Sequence, residues 1–137
     1  MKLLPVFLIT LLFFTSCENG PTSPSKSITV LSPNGGEVFH AGSTNIIKWT
    51  TIGIQSIDIS IIRVDSEHWA TTIATGTPAQ SGEFTWYIPT YFSGDPRFGA
   101  YKLHIEDSSC TMHNPPPQRA SCDPYRDESN GAFYITE

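Results

Sequence analysis

The stretch SIDISIIR, residues 56–63, decides the fold. Ile57, Ile59 and Ile61 fall on one side of an extended chain, with Asp58 and Ser60 on the other, because successive side chains of a strand point to opposite faces. A helix would scatter the same isoleucines around its axis. The period of two recurs along the chain. EFTWYIP (83–89) groups Phe84, Trp86 and Ile88 against Thr85 and Tyr87. AYKLHIE (100–106) turns Tyr101, Leu103 and Ile105 inward and Lys102, His104 and Glu106 outward. NIIKWT (45–50) pairs Ile47 with Trp49, and AFYITE (132–137) pairs Phe133 with Ile135. SITVLS (27–32) and HWATTIA (68–74) are weaker segments of the same kind. Each reads as a half-buried strand, rich in β-branched and aromatic residues.

Turn signals separate these runs. They are Pro33-Asn34-Gly35-Gly36, Ala41-Gly42-Ser43, Thr75-Gly76-Thr77-Pro78, Ser81-Gly82, Ser93-Gly94-Asp95-Pro96 and Asn130-Gly131. Short strands punctuated this regularly predict an all-β fold, an immunoglobulin/fibronectin-like antiparallel β-sandwich of seven to eight strands. The antibody pattern of two core cysteines around a tryptophan is absent, so Trp49, Trp86 and the isoleucines fill the core. Tyr101 falls where such sandwiches often place a tyrosine corner. The Gly35-Gly36 pair is not a phosphate cradle. Such a loop needs a helix whose N-terminal amides face the anion, and here the extended EVFHAG follows.

The first segment stands apart from the fold. MKLLPVFLITLLFFTSC has one charge, Lys2, then an apolar run from Leu3 to Phe14. That run is too short to span a bilayer and fits the apolar core of an export signal. It ends in Phe14-Thr15-Ser16-Cys17, which resembles a bacterial lipoprotein signal whose cysteine becomes the lipidated N-terminus. An ordinary signal peptide with an incidental cysteine is the alternative. The expected organisation is a signal peptide over 1–16, lipidated Cys17 with a flexible Gly/Pro/Ser/Thr tether over 17–27, and one domain over 28–137. Several acyl chains on Cys17 would anchor the protein stably to a membrane. The expected location is the bacterial envelope, at the outer membrane or cell surface.

Without Lys2, seven basic residues face thirteen acidic ones, a formal charge of −6. The few Lys and Arg are scattered, so the phosphate-neutralising stripe of a nucleic-acid binder is missing. With Cys17 given to lipid, Cys110 and Cys122 remain, an even pair in an exported chain, and predict a disulfide. Such a loop contributes roughly 3 kcal/mol in the chain-entropy model. The alternative is a metal pair with His113, which would want more ligands at tighter spacing.

No nucleophile elbow, zincin motif, C-x-x-C or dinucleotide fingerprint is present. The histidines His40, His68, His104 and His113 are widely separated, and His104 is expected to be a solvated side chain. Glu37, Glu83 and Glu106 offer carboxylates, but nothing in the sequence sets two of them across a cleft. The acidic group Asp123, Asp127, Glu128 with Asn130 lacks EF-hand spacing and reads as a solvated turn. The chain is therefore expected not to be an enzyme and to carry no cofactor or metal.

The segments ITVLSPNGGEVFHAGSTNIIKWT, IDISIIR, GEFTWYIP, YKLHIED and FYIT, with Trp69, together resemble one family. It is the N-terminal domain of the yeast cell-wall β-1,6-glucan synthesis proteins, grouped with Ser-Thr-rich glycosylphosphatidylinositol-anchored membrane proteins. The motif residues are Pro33 to Glu37, Gly42 to Thr44 and Ile47 to Trp49. The resemblance implies an immunoglobulin- or fibronectin-like sandwich, an extracellular location and no catalytic residues, and it brings no defined ligand site. The chain departs from the pattern over 107–131, where a shorter connection is expected.

Three readings of function follow. The first is binding of cell-wall or extracellular polysaccharide, since sugars stack on aromatic faces. Tyr87 lies opposite the core, and Tyr91, Phe92 and Phe98 lie in PTYFSGDPRFG. The alternative for the loop aromatics is that they cap the sandwich, while Trp49 and Trp86 belong to the core. The second is a protein-interaction module using the Cys110–Cys122 loop, with Met112, His113 and Arg119 as contacts to an envelope protein. The third is a structural spacer.

Overall fold

The computed structural model describes residues 25–65, 69–90, 98–110 and 125–137. The leader, Cys17, most of the tether, His68, Tyr91, Phe92, Met112, His113, Arg119, Cys122 and Asp123 lie outside the described residues.

Among the described residues, nine strands form two sheets. β1 (Ser27–Ser32), β3 (Thr44–Ile52) and β6 (Glu83–Tyr87) make the smaller, in the order β1-β3-β6. β2 (Val38–His40), β9 (Phe133–Thr136), β7 (Gly99–Asp107), β4 (Ser56–Arg63) and β5 (Trp69–Pro78) make the larger, in that order. β8 (Arg126–Glu128) pairs with β7 on the same edge as β9, further along. The pairs are antiparallel except β2 with β9, which run parallel. This is an immunoglobulin-like sandwich.

The alternation read from the sequence is the alternation of burial. Ile57, Ile59 and Ile61 are fully buried, as are Ile47, Trp49, Leu103, Ile105, Phe133 and Ile135. Each large apolar side chain so buried stabilises the fold by roughly 2 kcal/mol. Trp49 also satisfies its indole, donating Nε1–H to the Ala79 carbonyl at 2.9 Å. Phe133 gathers three aromatic neighbours, Phe39, Trp86 and Tyr101, at centroid distances of 5.6, 6.2 and 6.1 Å. Tyr101 is buried and stacked in this cluster.

The structure corrects several expectations. The described residues hold nine strands where seven to eight were expected, because two three-residue strands, β2 and β8, carry no readable alternation. Thr75 to Pro78 is not a turn: β5 runs through it. Gly76, at φ 63°, sits instead in a bulge where the pairing with β4 shifts between Ile57 and Ile59. The displaced Gly76 N–H donates to Asp58 Oδ1 at 2.8 Å, and Ser108 Oγ donates to the same oxygen at 2.6 Å. Asp58 is buried. His104 is also buried, at 2% exposure, with the Glu106 and Glu128 carboxylates on either side of its ring.

The molecule has two distinct ends. At one lie Ser27, Ile52, Ser56, Pro78 and Asp107; at the other lie Thr44, Tyr87, Gly99, His40 and Thr136. Lys26 closes the first end, 3.4 Å from Asp107 and 5.1 Å from the centre of the Tyr125 ring.

Candidate functional site

The double-glycine turn is a clasp. Glu37 folds back so that its carboxylate accepts the N–H groups of Asn34 and Gly35, both at 2.7 Å. Burial raises the Glu37 pKa, but these hydrogen bonds and one from its own N–H outweigh it, and the net shift is downward from 4.5. The turn then docks on Asn130-Gly131. Gly131 N–H donates to the Asn34 carbonyl, Asn130 N–H to Asn34 Oδ1, and Gly36 N–H to the Ala132 carbonyl. A Cβ on Gly35, whose φ is 137°, would lie 2.9 Å from the Gly131 Cα. Only glycine allows that approach. The motif thus joins the entry of β2 to the entry of β9, its parallel partner.

The match of a family model takes in the double-glycine half of this clasp and the strands from β2 to β7. The model of the Kre9/KNH-like N-terminal Ig-like domain matches residues 32–114, more than half of the chain. The chain belongs to this family.

Solved structures similar to this Kre9/KNH-like domain include the Dpr1 IG1 domain bound to DIP-eta IG1, at 15% identity and TM-score 0.41, covering 83% of this chain and 100% of that one. The RIG-5 IG1 homodimer follows at 12% identity and TM-score 0.38, covering 81% and 99%. A chimeric titin Z1Z2-Z1Z2 tandem carrying an exogenous GRGDS peptide from fibronectin is similar at 15% identity and TM-score 0.40. The match covers 83% of this chain and about half, 52%, of the titin tandem. No curated protein matches the chain.

The residues singled out in the Kre9/KNH-like chain are placed as follows. Tyr87 is 59% exposed at the end of β6, on the outer face of the smaller sheet. It stands opposite Thr44, and Ile46, also exposed, stands opposite Thr85. Phe98 is half-buried and packs on the core, which is the capping arrangement. Trp49 and Trp86 are core residues. Trp69 opens β5. Cys110 is buried at the end of a short 3-10 turn, Ser108–Cys110, that follows β7.

The carboxylates do not converge. Glu37 is held in the clasp, Glu83 is exposed on β6 opposite Lys48, and Glu106 lies on the outer face of the larger sheet. The acidic group near β8 also points three ways. Asp127 Oδ2 accepts the Val30 N–H at 2.8 Å, Glu128 faces His104 and Lys102, and Asn130 joins the clasp. Among the described residues no group of three or more His, Cys, Asp or Glu is placed to hold a metal ion.

The sequence reading missed the outer face of β9, β7 and β4. His104 there lies between two carboxylates, Nδ1 3.3 Å from Glu128 Oε1 and Nε2 3.6 Å from Glu106 Oε2. Lys102 Nζ is 4.0 Å from Glu128 Oε2. A cavity of about 360 Å³ opens beside them, lined by Ile62, Arg63, Val64, Lys102 and Glu128. The signal available in the sequence was the outward set Lys102, His104 and Glu106; the partner on β8 carried none.

Proposed function

We propose that the chain is a non-enzymatic, envelope-anchored binding module for cell-wall or extracellular polysaccharide. One observation carries the reading: Tyr87 is exposed on a threonine-lined face, at the end of the sandwich away from the chain's entry at Ser27. An aromatic ring offers a sugar both apolar area and a polar handle. With lipid on Cys17 and a short tether, the Ser27 end would face the membrane and the Tyr87 end would face outward. The non-enzymatic part is supported by the dispersal of Glu37, Glu83 and Glu106, which lie in the clasp, on β6 and on β7.

The test uses the full chain, purified in detergent, on an array of bacterial and plant polysaccharides. Binding by the wild type that falls at least about tenfold in Tyr87→Ala, with the fold intact by circular dichroism, supports the reading. Absence of binding to every polysaccharide on the array, or binding indifferent to Tyr87→Ala, overturns the Tyr87 site.

The second reading, a protein-interaction loop closed by Cys110 and Cys122, is favoured by a separate observation. Cys110 is buried at the end of the 3-10 turn that leads into this segment. A closed loop binds with less ordering entropy. Its described flanks, Cys110 and Tyr125, follow β7 and precede β8, and Lys26 lies over the Tyr125 ring. A partner there would be lost on reduction and retained in Tyr87→Ala. A spacer would be indifferent to both.

A further inference from the structure

We infer that the outer face of β9, β7 and β4 carries a site for a neutral sugar residue, independent of Tyr87. The cavity of about 360 Å³ between Ile62, Val64, Lys102 and Glu128 is at the small end of the range for small-molecule pockets, about 300–1,000 Å³. Its lining has the two halves a pyranose needs. Ile62 and Val64 supply apolar surface for the ring's C–H face. Lys102 and Glu128 supply a donor and an acceptor.

The spacing of that pair selects the ligand. Lys102 Nζ and Glu128 Oε2 are 4.0 Å apart, beyond direct hydrogen bonding. A hydroxyl between them can accept from the ammonium and donate to the carboxylate at once. Vicinal hydroxyls on a pyranose do this readily, and Glu128 disfavours a uronate or other anion. His104 fixes the arrangement: buried itself, it lies 3.3 Å from the other Glu128 oxygen. Arg63, which also lines the cavity, is paired with Asp65 at 2.6 Å, so its charge is matched.

The face continues into an aromatic platform. Tyr134 is 47% exposed and stands opposite Ala100, two residues from Lys102 on the same side of β7. Val38, 57% exposed, stands opposite Tyr134 in the parallel pair. A second sugar unit stacked on Tyr134 would extend a chain out of the cavity along the sheet.

The test is saturation-transfer NMR with the full chain in detergent, using glucose, galactose, mannose, N-acetylglucosamine and glucuronate as probes. At least one neutral sugar is expected to receive transfer from the wild type. In a Tyr87→Ala background, which takes the other proposed site out of the readout, affinity is expected to drop about tenfold in Lys102→Met and in Glu128→Gln. Lys102→Met keeps the aliphatic stem and leaves the His104–Glu128 contact in place, so it reports binding even where Glu128→Gln loosens β8. In the Tyr87→Ala background, transfer to none of the neutral sugars overturns the inference, as does transfer that survives Lys102→Met. Binding of glucuronate alone overturns the assignment to neutral sugars. Loss in Tyr87→Ala with no effect of Lys102→Met would leave the proposed function standing and remove this site.

Discussion

Glu37 shows how one residue can hold a motif together. Its carboxylate caps two backbone amides of the turn that carries both glycines. Glu37→Gln leaves one good acceptor where there were two charged ones, and at pH 7 should lower stability by about 1 kcal/mol. The folded pKa lies below 4.5, so this stabilisation is fully present above that value and is lost as pH falls through the folded pKa. Chemical denaturation of both proteins should therefore show a gap at pH 7 that closes as pH drops below 4.5. Equal stability at pH 7 would show the clasp does not depend on the charge. The glycine turn was legible in the sequence because a turn with positive φ has a composition. Its docking on Asn130-Gly131 was not, because two backbones nearly a hundred residues apart leave no local pattern when they touch. His104 was misplaced for a related reason: alternation tells which face a side chain takes, and nothing about what covers that face.

At the scale of elements, the strands with a clear period of two were readable, and those shaped by a single side chain were not. β4 announced itself through three isoleucines. The bulge in β5 looked like a turn because Gly76 and Pro78 carry turn chemistry, yet β4 pairs on either side of it. What makes the bulge tolerable is Asp58, which accepts the amide the ladder leaves behind and ties Ser108 to the same oxygen. Asp58→Ala should therefore cost about 2 kcal/mol, more than a surface carboxylate would. Amide exchange should speed up at Gly76 and at Ser108–Cys110 together, with little change in β1 or β6. Exchange that rises only at Gly76 would separate the two contacts. β8 escaped the sequence reading because three charged residues look like solvated loop. Their pairing is with β7, and Asp127 reaches across to the Val30 amide of the other sheet.

For the whole molecule, the sandwich has an axis. β7, nine residues and roughly 30 Å long, runs its length. The chain enters beside Asp107, and the faces bearing Tyr87 and Tyr134 are nearer the opposite end. Under the anchored reading, Cys17→Ser should move the protein from the membrane fraction to the soluble fraction on ultracentrifugation, with its thermal unfolding unchanged. Retention of the Cys17→Ser variant on membranes would mean that something other than lipid holds it there. The split between a packed core and sparse chemistry explains why the sandwich was readable in the sequence while its ligand was not. A core needs only period and size, whereas the outer faces are assembled from single residues on strands distant in the chain.

The last strand ends at the Tyr87 end of the sandwich. His40 Nδ1 is 2.7 Å from the Glu137 carbonyl, and the turn after His40 is bonded to Ile88, next to Tyr87. Anything fused after Glu137 would share that tip: a fluorophore there would report on occupancy of the tip, and a bulky affinity handle would obstruct it.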